Sequence, residues 1–100
     1  MIKTEANPFI ADEVPWEDHV TAYDEAHFVV YLRLLDASAA DAADDEMCRI
    51  ILNIDPQREP ARARRALDSH RRRAIWMTKE GYRDLLRRDG ISGDHLRRLI

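Results

Sequence analysis

Residues 44–76 read DDEMCRIILNIDPQREPARARRALDSHRRRAIW. Two amphipathic segments are joined by a stretch that holds two prolines. In the first, Met47, Ile50, Ile51 and Ile54 follow the i, i+3, i+4, i+7 pattern, which predicts a helix from about Asp44 to Ile54. Asp44, Asp45 and Glu46 sit in its first turn, where the helix dipole favours acids, so this carboxylate run needs no catalytic explanation. Asp55-Pro56 ends the helix, because the residue before proline avoids the α region. After the connector 56–60, Pro60 opens a second helix to Trp76, with Ala63, Leu67, His70, Ala74 and Met77 as its inner stripe. Arg62, Arg65, Arg72 and Arg73 fall mostly outside that stripe. Arg71, Arg72 and Arg73 point three ways, roughly 100° apart, so at least one must face inward or sideways.

Working outward, Thr21 is placed to cap a helix over 21–38, with Asp24 in the capping-box position. Phe28, Val30, Tyr31, Leu32, Leu34 and Leu35 make that helix apolar on most of its circumference, as expected of a central element. The pair Val29–Val30 leaves a strand reading open. Thr78 is placed to cap a further helix containing Tyr82, Leu85 and Leu86, Gly90 to stop it, and 92–100 to form a last short helix docked by Leu96 and Leu99. Residues 1–19 have Pro8, Pro15, scattered acids and no period, and read as a flexible arm. The expected fold is all-α: one small domain of four to five helices over 20–100, whose helix, connector and basic helix are either a helix-turn-helix variant with an extended turn or an accidental likeness to one.

One hundred residues is the size of one domain. The single Cys48 excludes an intramolecular disulfide and suits a reducing cytosol, and it lies beside an apolar stripe, as a buried thiol would. No apolar run reaches the roughly 18 residues of a membrane span, and no secretory leader is visible. His19, His27, His70 and His95 never fall three or four apart, so metal binding has no local signature. There is no Gly-rich phosphate loop. The expectation is a cytoplasmic non-enzyme with no metal, no cofactor and no small-molecule substrate.

The net charge of −3 hides an asymmetry. Residues 1–55 carry three bases against thirteen acids, and residues 56–100 carry thirteen bases against six acids. Either the halves fold against each other or each faces a different partner. Seven arginines between 58 and 73 raise a DNA-binding reading, with Arg62, Arg65 and Arg72 as its contacts. A solvated face that answers the acidic half is the competing one.

Three runs bear a likeness that composition does not supply: SHRRRAIWMTKEGYRDLL at 69–86, YDEAHFVVYLRLLDA at 23–37 and RIILNIDP at 49–56. The spacing of His70, Arg73, Ala74, Trp76 and Met77, followed by Gly81-Tyr82-Arg83 and Leu85-Leu86, carries most of it. Over about residues 20–86 the chain resembles a proteobacterial regulator family carried on mobile elements: the QseM-type antiactivators and FseA-type activators of integrative and conjugative element transfer. The resemblance implies an extended-turn helix-turn-helix domain. In the activators this domain follows a separate N-terminal domain and binds DNA through a basic face. The antiactivators are the domain alone, a decoy that captures the activator's N-terminal domain.

Only some twenty residues precede the resemblance, and the chain is acidic, which opposes phosphate binding. Both point to the antiactivator, with a transcriptional activator of the same family as partner and DNA binding doubtful. Interface hot spots favour Trp, Tyr and Arg, which makes Trp16, Tyr23, Tyr31, Trp76 and Tyr82 the candidate partner-binding residues. Core packing is the competing reading for Tyr31, Trp76 and Tyr82.

Overall fold

The computed structural model describes residues 9–88 and is all-α. Helix α1 spans Ala22–Ala26, α2 Phe28–Ala39, α3 Asp44–Ile50, α4 Pro60–Trp76 and α5 Tyr82–Arg88, with a π-helical turn over Met77–Gly81 between the last two. The expected order of helix, connector and basic helix is present as α3, residues 51–59 and α4. Gly90 and the expected helix over 92–100 lie outside the described residues, as do residues 1–8 of the expected arm.

The single helix expected over 21–38 is divided at His27. Thr21 caps α1 as read: its hydroxyl accepts from Asp24 N (3.2 Å) while Asp24 Oδ2 accepts from Thr21 N (2.9 Å). At His27 (φ −118°, ψ 16°) the backbone N–H turns to Asp24 O, three residues back. The Tyr23 carbonyl, which a continuous helix would have bonded to that N–H, lies 2.6 Å from His27 Nδ1 instead. A side-chain nitrogen stands where the backbone donor would be, and α2 starts after the break.

Two helix ends use left-handed residues other than glycine. Asp41 (φ 58°) ends α2, and Ala42 N reaches back to Ala37 O (2.9 Å). Asn53 (φ 57°) does the same after α3, with Ile54 N on Cys48 O (2.9 Å). The early end of α3 revises the apolar stripe expected through Ile54. Met47 and Ile54 are buried, but Ile50 is exposed, and Leu52 takes a core place in the non-helical turn.

The core gathers Val30 and Leu34 of α2, Met47 and Cys48 of α3, Leu52 and Ile54 of the connector, and Ala63, Ala66 and Leu67 of α4. Alanines on α4 let the α2 backbone come close, and α4 packs mainly on α2. Cys48 is buried with Sγ 3.6 Å from Ala63 O, and burial raises its thiol pKa, so it is a packed group and no nucleophile.

Thr78 does not cap a separate helix. Its hydroxyl donates to Ile75 O (2.7 Å), and the chain stays helical from Pro60 to Arg88 through the π turn. The extra residue there brings Gly81 against its own preceding turn, where it is buried. A Cβ at position 81 would stand 2.5 Å from Met77 Sδ and 3.0 Å from the Trp76 ring, so any larger residue requires those side chains to shift.

Residues 9–20 form a non-helical strap on the helical body. Val14 and Val20 are buried, Ile10 packs on the core, and the main chain is bonded along its length to side chains of α1, α4 and α5. Residues 9–19 of the expected arm are therefore docked on the helical body.

Candidate protein-interaction faces

Arg73, which the sequence pattern placed outside the inner stripe of α4, is fully buried. It is the arginine of the 71–73 triplet that turns inward. Its Nη2 lies 2.7 Å and its Nε 3.0 Å from the two oxygens of Asp24, which is also fully buried. The remaining donors bond Glu17 O (2.7 Å) and His19 O (2.8 Å) of the strap. The guanidinium sits 3.8 Å from the Trp76 ring and 4.7 Å from the Trp16 ring, and the two indoles meet edge to face at 6.0 Å. A buried charge is tolerable only when fully paired and bonded, and this one is. Burial pushes the Asp24 carboxyl up, but bonds from Arg73, Thr21 N–H and the Tyr31 hydroxyl outweigh it and hold the pKa below the usual carboxylate value.

The residues proposed for a partner are thereby sorted. Tyr31 is buried and donates to Asp24 Oδ1 (2.7 Å); burial, then that bond, push its phenol far up. Tyr23 is half-buried, stacks on His27 at 3.7 Å, accepts from Ala11 N (3.0 Å) and bonds His70 Nε2. Burial is the main cause of its raised pKa. His70 Nδ1 lies 2.7 Å from Ala66 O. Burial lowers the His70 pKa to about 4, so the ring is neutral, donates to Ala66 and accepts from Tyr23. Trp76 is half-buried against Arg73. Trp16 is 47% exposed and Tyr82 45% exposed.

Tyr82 belongs to a different feature. Between α2 and the α4–π–α5 helix runs an open groove of about 350 Å³, lined by Phe28, Tyr31, Leu32, Leu35, Ala74, Met77, Thr78, Tyr82 and Leu85. Leu32 is 62% exposed at its edge. The groove brings together Tyr31 and Tyr82 of the sequence candidates, whereas Trp16, Tyr23 and Trp76 gather at the strap. Phe28, Leu32 and Leu35 were legible as apolar positions, but their place in a groove depends on where the π turn sets Tyr82 and Leu85.

The arginines considered for DNA are partly answered by acids. Arg62 lies 2.6 Å from Asp12 of the strap and 3.1 Å from Glu59; the Asp12 bond, chiefly, raises its pKa. Arg71, beside them, pairs with Asp44 at 3.3 Å. Arg65 and Arg72 are exposed and border a shallow cleft with Glu13 and Trp16 of the strap. Among the described residues no three His, Cys, Asp or Glu side chains converge as a metal site, and no helix is long and apolar enough to cross a membrane. No protein-family model matches the chain, and no curated protein matches it.

Proposed function

We propose that the chain is an antiactivator: a helical module that captures a transcriptional activator of its own family, through the activator's N-terminal domain, and so blocks genes for excision and transfer of an integrative and conjugative element. The observation that carries a protein-binding reading is the open apolar groove between α2 and α5, bordered by Leu32 and Tyr82. A groove of this shape and composition suits an amphipathic helix laid between two helices. The family likeness supplies the identity of the partner, and mass action supplies the logic. A free copy of the domain competes for the surface that the activator's own domain would occupy. It must overcome a tether whose effective concentration can reach about the millimolar range.

The test is titration of this protein against the isolated N-terminal domain of the activator. Binding in the micromolar range, lost on Leu32→Asp, is expected; no binding at tens of micromolar discards the proposal.

A DNA-binding regulator is the second reading, favoured by the exposure of Arg65 and Arg72 on α4. Mobility shifts at two salt concentrations separate the two. A DNA reader loses affinity steeply with salt and weakens on Arg65→Ala or Arg72→Ala.

A further inference from the structure

The strap is held largely through its main chain. Three of its N–H groups are received by side chains of the helical body: Ala11 N by the Tyr23 hydroxyl (3.0 Å), Val14 N by Ser69 Oγ (3.1 Å) and Val20 N by Asp84 Oδ2 (2.8 Å). Four of its carbonyls meet side-chain nitrogens: Phe9 O at His27 Nε2 (2.6 Å), Glu17 O and His19 O at Arg73, and Val20 O at Arg88 (3.1 Å). These contacts are spread along the strap from Phe9 to Val20. Val14 and Val20 are buried, while Trp16 rests half-exposed against Trp76 and Arg73. Main-chain bonds that ignore sequence, combined with buried side chains, are how proteins bind extended peptides.

The charges agree. The strap carries four acids, Asp12, Glu13, Glu17 and Asp18, and α4 carries Arg62, Arg65 and Arg72. Asp12 pairs with Arg62, and Glu13 shares the cleft with Arg65 and Arg72.

From this we infer that the face formed by α1, α4 and α5 is a peptide-binding track, filled in cis by residues 9–20, that accepts an extended acidic segment of a partner protein once the strap is displaced. Several strap anchors are of the replaceable kind. The Asp12–Arg62 pair is solvent-exposed, and exposed pairs contribute little. The tether adds to these contacts by keeping the strap's local concentration high. The track is separate from the groove between α2 and α5 and stands whether or not that groove takes a helix.

The experiment uses the full chain and a fluorescein-labelled peptide FIADEVPWEDHV, the sequence of residues 9–20. Anisotropy is read against the wild type and against the double variant Asp12→Asn/Trp16→Ala, after circular dichroism confirms that the variant is folded. The variant is expected to bind the peptide roughly tenfold or more tightly than the wild type, because a weakened strap competes less. A peptide with Lys in place of the four acids is expected not to compete. Equal binding by both proteins, binding by neither, or full competition by the Lys peptide overturns the inference. Should Trp16→Ala prevent folding, Asp12→Asn/Glu13→Gln alters only exposed side chains and must shift binding in the same direction, and absence of that shift is equally fatal.

Discussion

Arg73 and Asp24, 49 residues apart in the chain, form a doubly bonded ion pair that is wholly enclosed by protein. The pair joins three things at once. Asp24 completes the capping box of α1, Arg73 anchors α4 to it, and the remaining guanidinium donors hold the strap by two carbonyls. The most basic segment of the chain thus uses one of its arginines as a core residue.

Removing one partner alone leaves the other charged and buried. Arg73→Met and Asp24→Leu are each expected to cost about 3–5 kcal/mol in urea denaturation. The double variant is expected to cost clearly less than the two singles together, because neither charge is then stranded. Additive losses would mean that the pair is not energetically coupled.

Acid stability follows from His70. Its folded-state pKa is lowered to about 4 from 6.5, so between those values the unfolded chain takes up a proton that the folded chain refuses. Stability is therefore full above about pH 6.5 and falls as pH drops toward 4, by about 3 kcal/mol in all at 1.36 kcal/mol per pKa unit. Below that window the lowered pKa of Asp24 adds its own loss. Denaturation midpoints at pH 7.5, 5.5 and 4.5 check this, and His70→Gln should flatten the profile between 6.5 and 4.

Gly81→Ala tests the π turn. In an ordinary helix interior the change would gain about 1 kcal/mol. Here the added methyl meets Met77 Sδ, which can move, and the Trp76 ring, which is held in the Arg73 stack. A net loss of about 1–3 kcal/mol is expected. Met77→Ala in the same chain should return only part of it, since the Trp76 contact remains.

The groove residues separate binding from folding. Leu32→Asp and Tyr82→Ala alter side chains that are 62% and 45% exposed, so their effect on stability should stay within about 0.5 kcal/mol. Loss of activator capture by about tenfold or more is expected of each if they are central to the interface. An unchanged affinity in both would move the partner face elsewhere.

Local chemistry wrote much of this fold into the sequence. The Thr21–Asp24 capping box, Pro60 at the start of α4, the acids at the start of α3 and the inner alanines and leucine of α4 act over one or two turns, and each is where the pattern placed it. The break at His27, the end of α3 at Asn53 and the continuity through Thr78 depend on which backbone groups find side-chain or turn partners, and periodicity is blind to that. The groove was visible only as scattered apolar positions, because its walls come from α2 and the α4–π–α5 helix, which the packing of α2 on α4 brings together. The triplet at 71–73 shows the division most clearly. Helical geometry alone required that one of three adjacent arginines turn from solvent. Only the folded chain, by bringing Asp24, two indoles and two strap carbonyls around one position, decided that it was Arg73, since a buried guanidinium is stable only where distant segments supply all its partners.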